Sequence, residues 1–157
     1  MPELFLEGVA RPLLVLHAIV AIALGGASTH LALVTFRIWQ RKSSAFRLVG
    51  IYAKTVGILF VVDFLIGLLI YPTYRYRVRG LYFDRYEPWA ANLFDMKEIL
   101  LGLALPLAFG LVAVCGKTAL AERSEYRPWA ALVSGLLWAF VAFGIVSGLL
   151  VTTVRSV

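Results

Sequence analysis

The chain has 157 residues, 61% of them hydrophobic and 15% charged, with 15 Lys and Arg against 9 Asp and Glu for a formal net charge of +6. Its mean hydropathy of +0.86 sets it apart from water-soluble domains, in which about 45–50% of residues are apolar. The cations sit in short stretches beside long apolar runs, which fits membrane orientation and anionic headgroups rather than nucleic acid, and the single cysteine, Cys115, excludes an intramolecular disulfide and a cysteine-based metal centre.

The N-terminal stretch MPELFLEGVARP carries two acids and one Arg. It has neither the basic n-region nor the small-residue cleavage site of a signal peptide, so the first apolar run is expected to be retained. That run, Leu13–Phe36, contains no charged residue. Leu48–Tyr71 is apolar but for Lys54 near its start and Asp63 in its interior. Ile99–Cys115 and Trp129–Val154 are uncharged, and the former, being short, is expected to reach back through NLFDMKE. A crossing helix needs about 20 residues, and only a helix satisfies its own backbone in lipid. The expected fold is therefore an all-α integral membrane protein. It forms a single domain, a four-helix up-down bundle with spans at 13–36, 48–71, 95–115 and 129–154 and a surface loop at 72–94.

Proline punctuates these spans. Pro12, Pro88 and Pro128 each stand just before an apolar run, in the first-turn position where a missing N–H costs nothing. The tetrapeptide PWAA occurs twice, at Pro88–Ala91 and Pro128–Ala131, and reads as two helix starts with an interfacial Trp. Pro106 lies inside the third span and is expected to kink it. The first loop carries Arg37, Arg41, Lys42 and Arg47 without an acid, and the third carries Lys117, Arg123 and Arg127 against Glu122 and Glu125. Placing these loops inside puts both termini outside, with a bacterial-type cytoplasmic membrane as the expected location.

Between spans two and three stands YPTYRYRVRGLYFDRYEPW, Tyr71–Trp89. Tyr74, Tyr76 and Val78 alternate with Arg75, Arg77 and Arg79. Period two predicts an extended segment with an aromatic and a cationic face, turning at Gly80. Such an Arg/aromatic-rich extended loop would lie at the headgroups. Arg75, Arg77, Arg79 and Arg85 would then hold lipid phosphate, another anion such as a haem propionate, or an acidic partner, since guanidinium forks match carboxylates and phosphates. Lipid anchoring alone explains the same residues.

The polar residues within the spans carry the functional signal. A carboxylate in mid-span costs about 2.5–3.5 kcal/mol on insertion scales, so Asp63 should face protein or water. In an up-down arrangement His17, Asp63, Lys97 and Glu98 fall in one half of the membrane beneath the Arg-rich segment, their depths differing by about 10–15 Å. One imidazole, two carboxylates and one amine in an apolar slot could hold a quinone headgroup or relay protons; interhelical hydrogen bonds are the structural alternative. His17 and His30 could be shared haem ligands. They lie 13 residues apart, about 140° around the helix, and no other span carries His. This chain alone cannot make a bis-His b-haem site, and Met96 as second ligand has nothing but its presence behind it. Gly25–Ser28 and the GxxxG pattern in Gly144–Gly148 point to close helix contact within the bundle or to a neighbour.

No Ser/His/Asp, HExxH, P-loop or paired-carboxylate motif is present, so the chain reads as no enzyme on its own. In its organisation of four spans and no soluble domain it resembles the small four-helix anchor and accessory subunits of respiratory complexes, a likeness of architecture that carries no residue across. The resemblance implies a non-catalytic subunit of a larger electron-transfer complex, with other membrane subunits as partners and a quinone or a shared b-type haem nearby. The alternatives are a homo-oligomeric transporter or proton-conducting protein using Asp63, and a membrane enzyme or cofactor-assembly factor.

Overall fold

A computed structural model describes residues 4–115 and 119–157. Lys117, one of the third-loop cations, lies outside the described residues. Four long helices account for most of them: α1 (Ala10–Trp39), α2 (Phe46–Thr73), α3 (Pro88–Cys115) and α4 (Tyr126–Val154). A short 3₁₀ turn, Glu7–Val9, leads into α1, and a turn of helix at Ala119–Glu122 precedes α4. All four are long and apolar enough to cross a membrane. Their large side chains face outwards: Ile19 is 60% exposed, Ile58 65% and Leu132 62%. A surface of this kind calls for lipid rather than water around it. α1 and α4 begin three residues before the expected spans and α3 seven, because Pro12, Pro128 and Pro88 sit within a first turn rather than ahead of one; α2 begins two residues early, without a proline.

Neighbouring helices meet in opposite order along the chain. Between α1 and α4 the meeting pairs are Thr29 with Trp138 and Thr35 with Ser134. Between α2 and α3 Gly50 faces Cys115 and Gly57 faces Val112, and between α3 and α4 Leu101 faces Gly144. Polar residues buried in these seams are satisfied locally: the Thr35 and Ser134 hydroxyls lie 2.6 Å apart, and Ser147 donates to the Phe143 carbonyl at 2.6 Å. Apolar packing falls into two clusters. One, around Leu31, Ile38, Val56, Leu111 and Leu137, fills the end near the first loop. The other, around Ile70, Tyr74, Val78, Phe83 and Phe94, fills the opposite end.

The expected extended loop at 72–94 is corrected. Tyr74–Phe83 winds as a π-helix continuing α2, Asp84–Tyr86 adds a turn, and the helix from Phe46 to Tyr86 runs 41 residues without a break. At about 1.5 Å per residue that is roughly twice the ~30 Å hydrocarbon core, so the Arg-bearing end extends beyond the apolar part. Pro72, inside α2, withdraws a backbone donor two residues before the winding widens, a recognised cause of a break in the i→i−4 ladder. The buried positions Tyr74, Val78 and Phe83 recur every four to five residues, as i→i+5 winding requires. The chain reverses at Glu87, whose φ of −138° and ψ of 63° leave the helical region immediately before Pro88.

Candidate functional site

The two PWAA motifs behave alike. Trp89 and Trp129 point outwards, 49% and 65% exposed, while Ala90, Ala91, Ala130 and Ala131 are buried in the bundle. The motifs open helices that run in opposite directions, so the tryptophans mark both ends, and Trp89 Nε1 donates to Glu87 Oε2 at 2.6 Å.

Between the two apolar clusters lies a cavity of about 330 Å³ to which all four helices contribute. His17, Asp63, Lys97 and Glu98 all line it. The remaining wall is mostly aliphatic and aromatic, and it extends to outward-facing side chains such as Ile22 and Leu149. The cavity therefore connects a polar centre with the apolar outer surface of the bundle.

Glycines make room for the polar side chains. A Cβ on Gly67 would stand 3.5 Å from His17 Cε1, and one on Gly148 would stand 3.6 Å from Lys97 Nζ. The His17 ring can thus lie against α2, where Nδ1 comes within 2.9 Å of Asp63 Oδ1 and 3.2 Å of the Asp63 main-chain oxygen. One ring N–H cannot serve both acceptors. The main-chain oxygen meets hydrogen-bond geometry, and Asp63 Oδ1, buried and 2.9 Å from the ring, receives no hydrogen bond among the described residues. Lys97 Nζ sits 5.5 Å from the centroid of the Phe94 ring. It interacts electrostatically with Asp63 and Glu98, yet forms no ion pair among the described residues. Phe94 in turn stacks on Tyr74 at 4.4 Å. Tyr74 also lines the cavity, and its buried hydroxyl has no hydrogen-bond partner among the described residues. Sequence reasoning passed over Tyr74 as one of many interfacial tyrosines. The usable signal was its position one turn before Val78 and two before Phe83, on the only apolar stripe of that segment.

The arginines do not form one face. Arg75, exposed, donates to the Tyr71 hydroxyl at 2.6 Å. Arg77 makes a fork to Glu7 at 2.7 and 3.1 Å. Arg79 makes a fork to Asp95 at 2.5 and 2.8 Å, with Asp84 Oδ1 at 3.7 Å. Arg85 is exposed. Helical winding separates what strict alternation placed together, so a common cationic lid over His17, Asp63 and Glu98 is not formed. Arg77 instead lines a second pocket of about 460 Å³ with Arg11, Arg155 and Glu7, where Arg11 Nε donates to the Val157 oxygen at 3.1 Å and Arg155 lies 5.0 Å from the centroid of the Tyr82 ring.

His30 stands apart from His17. It is exposed and stacks on Tyr52 at 5.4 Å, about 20 Å along α1 from His17 at 1.5 Å per residue. The two cannot serve one haem. Met96 is 54% exposed and is not among the cavity-lining residues. Among the described residues no three His, Cys, Asp or Glu side chains converge as metal ligands. Gly144 of the GxxxG pattern packs against Leu101, so that pattern serves contact within the bundle. Comparison with protein-family models, curated proteins and solved structures finds no match.

Proposed function

We propose that the chain is a non-catalytic integral subunit of a larger membrane electron-transfer complex, and that it contributes a site for an amphipathic ligand of the quinone class. One observation carries the reading. A single cavity brings an imidazole, two carboxyl groups and an amine together in one half of a largely apolar bundle and reaches the lipid-facing surface. Ligand sites are typically concave, mostly apolar and furnished with a few convergent polar groups. A molecule with an apolar tail and an oxygen-bearing ring can enter from lipid and place its head among His17, Asp63, Lys97 and Glu98. A b-type haem, in this reading, would need an axial ligand from a partner subunit. The helices form an up-down bundle with both termini outside; reporters fused at Arg41 and Arg123 are expected in one compartment and a tag after Val157 in the other.

The test is purification from the native membrane in mild detergent, with mass spectrometry of partners and of extracted lipids. Redox subunits and a quinone co-purifying in stoichiometric amount are the expected result. A second reading is favoured by Asp63 itself, whose Oδ1 is buried without a donor beside His17: a homo-oligomer that conducts protons. A pure homo-oligomer that leaks protons in liposomes, with the leak lost in Asp63→Asn, replaces the first reading with the second.

A further inference from the structure

Among the described residues, three groups that face the same cavity keep unused hydrogen-bonding capacity: Asp63 Oδ1, which has the His17 ring 2.9 Å away but receives no hydrogen bond; Lys97, which lies over the Phe94 ring and forms no ion pair; and the Tyr74 hydroxyl, with no hydrogen bond. Their chemistry is unequal. A Lys ammonium only donates, a carboxylate oxygen accepts, and a phenol does either. A ligand atom lying between Lys97 and Asp63 satisfies both only if it accepts from one and donates to the other. A hydroxyl oxygen does this. A carbonyl oxygen accepts from Lys97 but turns a lone pair towards Asp63. Phe94 and Tyr74, stacked at 4.4 Å, supply an aromatic wall for a planar ring, and Tyr74 is indifferent to whether a second ring oxygen is a hydroxyl or a carbonyl.

We propose that the cavity selects the hydroxyl-bearing, reduced form of a ring ligand, a para-quinol over the matching para-quinone, with Asp63 and Lys97 as the pair that reads the oxidation state and Tyr74 as a second headgroup contact. The inference rests on the quinone-class reading and deepens it. A site built to hydrogen-bond a substrate hydroxyl rejects the analogue that lacks it, because its own buried groups are then left unpaired. No electron or proton transfer is needed for this discrimination, which is a matter of binding alone.

The experiment uses the full chain in lipid nanodiscs. Binding of a decyl-substituted para-benzoquinol, kept reduced under anaerobic conditions, is compared with that of its quinone by equilibrium dialysis, with retention by empty nanodiscs subtracted. The quinol is expected to bind about tenfold tighter. Asp63→Asn adds an N–H donor and removes the charge, so the preference should shrink to about threefold or less. Lys97→Met removes the one member of the Asp63–Lys97 pair that serves a carbonyl, while Asp63 still accepts from a hydroxyl, so the preference should grow. A loss of packing would weaken both forms together, whereas the proposal moves the ratio in opposite directions in the two variants. Ile58→Ala on the outer surface should leave the ratio unchanged. Equal affinities in the native chain, or a ratio that shifts the same way in both variants, overturns oxidation-state selection while leaving quinone binding intact. Binding of neither form above the empty discs overturns both the selection and the quinone-class reading.

Discussion

The two ends of the bundle use the same residue type for opposite purposes. Near the first loop, glycine brings helices together: a Cβ on Gly57 would meet Val112 Cγ2 at 2.9 Å, and one on Gly50 the Cys115 main-chain oxygen at 3.0 Å. In the other half, Gly67 and Gly148 face His17 and Lys97, and the space they leave is taken by polar side chains and a cavity. Lipid supplies no hydrophobic drive for helix association, so packing and hydrogen bonds must hold the bundle. One half spends these glycines on contact; the other divides its glycines, Gly144 packing on Leu101 while Gly67 and Gly148 leave room for a polar chamber. The lesson is that a small residue in a membrane helix marks proximity, and only its neighbour says to what.

The largest expected difference between the halves follows from packing. Leu137 is 0% exposed and Leu31 1%, both in the tight cluster. Truncating either to Ala should cost about 2–5 kcal/mol, as buried Leu→Ala changes do. Phe64, which lines the cavity and is 41% exposed, should lose far less when cut to Ala, because space already exists beside it. Reversible unfolding in detergent, or steric trapping in bicelles, reads the difference; equal costs would dissolve the contrast.

A smaller contrast separates the glycines. Gly57→Ala sets a methyl against Val112, a β-branched side chain that moves little, and should destabilise by about 1–3 kcal/mol, the usual cost of overpacking. Gly67→Ala meets only His17 at 3.5 Å, an ordinary contact, and should be close to neutral for unfolding. Thr35→Val, which breaks the hydroxyl pair with Ser134, belongs between the two: interhelical hydrogen bonds in membranes average about 0.6 kcal/mol.

Much of this was legible in the chain, and the missing parts have physical causes. Four spans could be read because charges interrupt the apolar runs where helices end. His17, Asp63, Lys97 and Glu98 could be placed in one half of the membrane because ionisable residues in mid-span are costly, and depth follows from residue count. The pairing of glycines could not be read: these helices are apolar nearly all round, so no stripe tells inside from outside. The Tyr74–Phe83 segment misled because alternation of Tyr and Arg is a strand pattern, whereas Tyr74, Val78 and Phe83 obey a period set by i→i+5 winding. That winding also carried Tyr74 into the cavity and sent its arginine neighbours to separate partners.

Effects of about 1 kcal/mol and below lie among those arginines, and they test whether the open half is clamped at its rim. Arg79 joins the π-helical segment to α3 through its fork to Asp95, with side chains 24% and 39% exposed, whereas the hydrogen bond of Arg75 goes to Tyr71, one turn away on the same helix. A fork between elements restrains their separation; a contact within one helix does not. Arg79→Gln should therefore destabilise by about 1 kcal/mol and Arg75→Gln by a few tenths at most, since exposed pairs are worth about 0–1 kcal/mol. The reverse change is more telling than either loss. Asp95→Arg with Arg79→Asp restores an ion pair across the same gap and should recover most of what either single change costs. Proteolysis within Tyr74–Phe83 should follow the same ranking, fastest in Arg79→Gln and in Asp95→Arg alone. Indifference of both cleavage and stability to the Arg79–Asp95 pair would leave the rim of the open half held by the Tyr74–Phe94 stack and not by charge.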